Sequence, residues 1–189
     1  MNTTAHLLVG LACFAKPKER LLTTAAIAGA LLPDLSLYLL AGVSIVILGI
    51  EPQVVFDELY YSSGWQRVFS IDNSFLLWGA LLILGMVRRV PWLIALGGAA
   101  CLHIATDFLL HNDDARVHFW PLSDWRFFSP VSYWDSRFHA NWVAPLEGLV
   151  CFGMLLVLFR RFTHHLPRIL FALCLLVELY VLRQWLLFF

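Results

Sequence analysis

The chain has 189 residues, of which 60% are hydrophobic and only 14% charged, with a mean hydropathy of +0.76. Soluble domains carry roughly 25% charged residues, so an ordinary water-soluble globule is excluded and several membrane spans are indicated. Thirteen basic and thirteen acidic residues cancel, and with no basic excess nucleic acid is not expected as a partner.

Residues 3–15 form a short apolar run around His6 and Gly10, closed by Lys16, Lys18 and Arg20. A complete span needs roughly 20 residues, so this run predicts a half-helix, a re-entrant piece or one arm of a helical hairpin. Residues 21–50 are apolar apart from Pro33, Asp34 and Ser36, long enough for a tilted first span broken or kinked at Pro33. Residues 51–74 hold Glu51, Asp57, Glu58 and Asp72 against Arg67, with Tyr60, Tyr61 and Trp65 between them. They predict a polar loop with an interfacial aromatic belt. Asp72, Asn73 and Ser74 read as a helix N-cap, or alternatively as partners to a nearby site.

A second span runs from Ser74, or from near Ile71, to Val87 before Arg88 and Arg89. A third follows Pro91 through Gly97 and Gly98 to His111. Residues 112–141 are a long loop rich in Trp, Phe, Asp and Arg, and loops of that length in small domains are usually functional. The fourth span is Trp142–Leu158 and the fifth Ile169–Phe189. The expected fold is therefore all-α: one integral membrane domain over residues 1–189, a bundle of about five spans plus the N-terminal half-helix. Cys13, Cys101, Cys151 and Cys174 stand singly in apolar segments, which predicts buried structural thiols. The N-terminus lacks a basic region and a small-residue cleavage site, so it is expected to stay in the mature protein. The basic clusters at 16–20, 88–89 and 160–168 fall at alternate turns. They are assigned to the cytoplasm, and loops 51–74 and 112–141 to the outside.

The chemistry concentrates between His103 and Pro121. His103, Asp107 and His111 recur at i, i+4 and i+8, a spacing that stacks them on one helix face. Imidazole nitrogen and carboxylate oxygen are donors for borderline ions, so zinc or manganese is the expected metal. Asp34 and His6 sit at matching depths on their own segments. Intramembrane ionisable groups are functional candidates by default, or else pair with one another or with Arg116 as structural glue. Asp113, Asp114 and His118 are candidate general acids or bases. His139 and Glu147 are more distant candidates. Arg116, Arg126 and Arg137 are suited to binding an anionic phosphate or to balancing the loop carboxylates. His164 and His165, among arginines, read as membrane-surface charge.

Thr4, Ala5, His6 and Gly10, then Leu31, Leu32, Pro33 and Asp34, then His103 and Asp107 together resemble the YdjM-like family of bacterial inner-membrane metal-dependent hydrolases, over roughly residues 1–121. That family is thought similar to zinc-dependent phospholipase C and P1-type nucleases, all-helical proteins that hydrolyse phosphoesters. The resemblance implies an inner-membrane location and makes His6, Asp34, His103 and Asp107 metal ligands. The chain departs from the pattern at Leu35, Ser36 and Leu37, where family members carry a further ligand, and at Asn73-Ser74, where they carry His-Ser. These departures imply fewer ligands.

The expected function is a membrane metal-dependent hydrolase acting on a phospholipid or other lipid-linked phosphoester. His6, Asp34, His103, Asp107 and His111 would hold the ion that activates a water. The alternatives are a non-catalytic membrane subunit whose metal or ion-pair cluster is structural, and a metal or proton carrier.

Overall fold

A computed structural model describes residues 1–188, and every described element is helical. Eight α-helices follow in order: α1 Thr3–Phe14, α2 Arg20–Gly42 with a π-helical turn Val43–Ile47, α3 Pro52–Val54 continued by a π-helical turn Val55–Leu59, α4 Ser63–Asp72, α5 Phe75–Arg88, α6 Pro91–Leu110, α7 Ala140–Arg161 and α8 His165–Phe188. Five stretches are long and apolar enough to cross a membrane: Arg20–Ile47, Ser63–Arg88, Pro91–Leu110, Ala140–Arg161 and His165–Leu187. With the short apolar α1, this is the architecture the composition predicts. α2 runs through Pro33 as one helix instead of stopping there.

Residues 51–74 differ from the expected loop, being mostly helical. Pro52 opens α3 at a position where its missing N–H costs nothing. Ser62 caps α4 by accepting from the Trp65 amide. Val55, Tyr60 and Phe69 turn inward while Glu51, Asp57 and Glu58 stay exposed. The many polar residues are therefore the outer faces of short amphipathic helices. Ser74 accepts from the Leu77 amide and starts α5, as the N-cap reading requires.

The half-helix α1 is an interior element. Its Ala5, Leu8, Leu11 and Ala12 pack with Cys151, Leu155 and Leu158 of α7 and with Phe171 and Leu175 of α8. α6 is the other hub, against α1, α2 and α5. A Cβ at Gly29 would lie 2.2 Å from the Leu96 carbonyl, and one at Gly97 would lie 2.7 Å from the Leu82 nitrogen. Glycine at these positions is what lets α2 and α5 approach α6 so closely. Of the cysteines, Cys151 is buried as expected, but Cys13 is exposed because it lies on the face of α1 turned from that core.

The three basic turns lie at the same end of the bundle as the helices alternate. Arg161 at the end of α7 donates to the carbonyl of Ala15, before α2, at 2.8 Å. Counting along each helix from that end, Asp34 is 14 residues up α2, His103 12 up α6, Glu147 14 up α7 and Glu178 13 up α8. At 1.5 Å per residue these are all heights of about 18–21 Å. The ionisable groups of separate helices thus meet in one layer. The loop after α6 folds back over that layer: the Ser129 amide donates to the His111 carbonyl and the Tyr133 amide to the Leu110 carbonyl.

Candidate metal centre

His103 and Asp107 project from successive turns of α6, and α1 brings His6 against them. The rings of His6 and His103 stack at 3.5 Å between centroids. At His111 the backbone has already left the helix, with φ −114° and ψ 130°, and the ring still turns back toward α6. His6, His103, Asp107 and His111 are all buried, as is Asp34.

Three imidazoles aim the same atom at one carboxylate. Nε2 of His6 lies 2.9 Å and Nε2 of His111 3.3 Å from Asp107 Oδ1, and Nε2 of His103 lies 3.2 Å from Oδ2. These separations are within ion-pair range, yet none of the three nitrogens is oriented for a hydrogen bond, and each is buried without one. The other nitrogen of every ring is engaged. Nδ1 of His103 is 2.7 Å from the Ala30 carbonyl, Nδ1 of His6 is 3.3 Å from Thr106 Oγ1, and Nδ1 of His111 is 2.8 Å from Asp114 Oδ2. The Ala30 carbonyl only accepts, so Nδ1 of His103 donates to it, and Nε2 is the nitrogen turned to Asp107. Metal-bound histidines are held in this way by outer partners.

Size agrees with chemistry. Donor atoms about 2.0–2.2 Å from a tetrahedral ion stand about 3.3–3.6 Å apart, close to the 2.9–3.6 Å found between donors here. One donor atom each from His6, His103 and Asp107 falls within 4.8 Å of the other two. These three residues form a cluster that could hold a metal ion, with His111 at its edge. Asp34 is more divided: Oδ1 is 3.6 Å from His103 Nε2 and 3.3 Å from an Arg116 nitrogen, while Oδ2 accepts from Thr3. The Met1 nitrogen also reaches Asp107 Oδ1, at 2.9 Å.

Two adjacent aspartates that read alike in sequence are separated by the fold. Asp114 bonds His111 and accepts from the Trp134 indole at 3.1 Å, and its Oδ1 is buried and unpartnered. Burial opposes its ionisation, but the neighbouring His111 outweighs that and holds the carboxyl below its usual range. Asp113 pairs with Arg137 at the exposed rim of the loop. His118 sits beside Phe75 and Phe108 with Nδ1 3.1 Å from the Asn73 carbonyl. Burial lowers that ring to about 4, so it is neutral at ordinary pH. Neither Asp113 nor His118 makes a hydrogen bond or ion pair with Asp107. His139 is exposed, at a left-handed turn.

Some of the partners stand outside the His/Asp motifs. Asn73 accepts from Arg116 at 3.1 Å and donates to the Pro33 carbonyl, fixing Asp34's neighbourhood. This is the alternative role that the sequence offered for Asn73, a partner to a nearby site, and the residue follows directly on the end of α4. Glu147 and Glu178, from α7 and α8, meet at Asn2: the Asn2 amide donates to Glu147 at 2.8 Å and its side chain to Glu178 at 3.0 Å. Beside the cluster lies a cavity of about 310 Å³ lined by Thr3, Asp34, Asp107, His111, Arg116 and residues of α8. A second of about 450 Å³ shares His111, Arg116 and Tyr133 with it and reaches Asp114 and Tyr60. No family model, curated protein or solved structure matches the chain.

Proposed function

We propose that the protein is a metal-dependent hydrolase of the bacterial inner membrane, acting on a phospholipid or other lipid-linked phosphoester. The observation that carries this reading is the convergence of three Nε2 atoms on Asp107 while each ring's Nδ1 is held from behind. His6, His103, Asp107 and His111 would hold the ion, with Asp34 in reach, and zinc suits this nitrogen and oxygen set, with manganese the next choice. When bound, such an ion acidifies water and polarises the bond to be cleaved.

The chain's own groups supply the rest. Asp114 orients His111 through Oδ2 and presents the unpartnered Oδ1 as a proton acceptor. His118, neutral and anchored on Asn73, shapes the loop strand that carries Arg116. Asp113 belongs to the loop's surface. With the basic turns in the cytoplasm by the positive-inside rule, the cluster lies just past the middle of the membrane, in its outer half. The quoted motifs shared with the YdjM-like family point the same way.

A second reading has one observation in its favour. Asp34 is already engaged by Arg116 and Thr3, as in a non-catalytic subunit held together by ion pairs. Elemental analysis of the detergent-purified protein separates the two. About one or more equivalents of zinc or manganese, lost in His103→Ala and Asp107→Asn, is expected. Absence of metal after incubation with zinc would establish the ion-pair reading. With metal present, phosphoester substrates are screened with Asp107→Asn as the inactive control.

A further inference from the structure

The cavity beside the cluster is walled on one side by Leu37 and Tyr38 of α2 and on the other by Val177, Val181 and Trp185 of α8. These two helices both pack on α1 and scarcely touch one another. Both are long and apolar enough to cross a membrane, so a gap between them at the height of the ionisable layer would face the bilayer. Tyr38 and Val177 on its two walls are exposed, and so are Leu35 and Leu39 elsewhere on α2 and Leu173 and Tyr180 elsewhere on α8. Acyl chains suit such faces, and water does not.

At the inner end of the slot stands Arg116, which lines both cavities and is 4% exposed. One of its nitrogens bonds Asp34 and Asn73, its guanidinium lies over the Phe69 ring at 5.2 Å, and its Nε is buried with no acceptor. A guanidinium has five donors, keeps its charge, and matches the oxygens of a phosphate two at a time. The cation lines both cavities, so an anion arriving through the slot would meet it.

We propose that the gap between α2 and α8 admits an anionic phosphoester amphiphile directly from the bilayer, its acyl chains remaining between the exposed faces of the two helices and its phosphate taken by Arg116 beside the His/Asp cluster. The fate of the ester rests on the hydrolase reading, but the binding does not. Arg116 is thus the residue that selects a phosphate headgroup, and the slot is what selects an amphiphile over a soluble phosphate.

The test is equilibrium binding of dioctanoyl phosphatidylglycerol to the full chain in detergent, read by native mass spectrometry beside dioctanoylglycerol, which lacks the phosphate. The phosphate lipid is expected to bind at least about tenfold more tightly, the value of one charge-assisted hydrogen bond. Arg116→Gln should abolish that preference. Because Arg116 also ties Asp34 to Asn73, Val181→Trp provides an independent variant: it fills the slot from the α8 wall, replaces neither Arg116 nor its partners, and should weaken binding of both lipids about tenfold or more. Equal binding of the two lipids by the unaltered protein, or undiminished binding by Val181→Trp, would overturn the proposal. Selective binding without hydrolysis would refute the hydrolase and leave this inference standing. Hydrolysis of a soluble phosphodiester with no preference for the lipid would do the reverse.

Discussion

Asp114→Asn isolates the outer support of the cluster from the cluster itself. Asp114 Oδ2 is 2.8 Å from His111 Nδ1 and 3.1 Å from the Trp134 indole nitrogen, and asparagine can present its oxygen at the same place. What is lost is the negative charge that raises the basicity of His111 Nε2, at an unchanged shape. Removing such outer partners typically costs 10–100-fold in metal affinity, about 1.4–2.7 kcal/mol. A zinc competition titration against a chromophoric chelator measures it on purified protein. The neighbouring Asp113→Asn is the matched control, since Asp113 pairs with Arg137 at the exposed rim, where an ion pair contributes about 0–1 kcal/mol. Affinity reduced in the first variant and kept in the second is the expected result. Equal affinities in both would refute the view that Asp114 acts on an ion through His111.

Other consequences concern the scaffold. Gly29→Ala places a methyl 2.2 Å from the Leu96 carbonyl and 3.0 Å from Ala99, so α2 must part from α6. A loss of about 1–3 kcal/mol is expected, seen as a melting temperature several degrees lower, whereas Gly42→Ala, with nothing within 4 Å, should show no such drop. His118 is held near 4 by burial against about 6.5 in the unfolded chain. Its contribution is therefore full above pH 6.5 and lost as pH falls toward 4, by about 3 kcal/mol. His118→Phe should flatten the acid limb of the stability curve by that amount, and an acid limb identical to the parent's would show that the ring is not held neutral.

The bundle was largely legible because hydropathy and helix length report directly on what can cross a bilayer. The layer was legible too: residue counts from each basic turn place Asp34 and His103 at one height, and the fold brings them within 3.6 Å. The i, i+4, i+8 spacing succeeded for a partly different reason from the one it suggests. His103 and Asp107 share a helix face, but His111 has left the helix and reaches Asp107 by a turn of the backbone. Asp113 and Asp114 were indistinguishable because a loop has no period, and only tertiary contacts tell the one facing Arg137 from the one facing His111. Residues 51–74 misled for the opposite reason. Their charges lie on the outer faces of helices whose inner faces, Val55, Tyr60 and Phe69, are sparse in sequence.

The energetics of that layer yield one more prediction. An aspartate at mid-membrane costs about 2.5–3.5 kcal/mol on insertion scales, and the fold offsets this cost unevenly. Asp34 has Arg116 and Thr3, and Glu178 has Asn2 and Thr4. Asp107 has the Met1 amino group, but the three Nε2 atoms around it have no hydrogen bonds, and a cation would give all three a partner. Binding to the folded chain alone raises stability by RT ln(1 + [L]/Kd), about 2.7 kcal/mol at a hundredfold excess over Kd. Zinc added to metal-stripped protein should accordingly raise the melting temperature, and Asp107→Asn should abolish the rise. Identical melting with and without zinc in the parent would mean that the cluster is satisfied by its own protons and carries no ion.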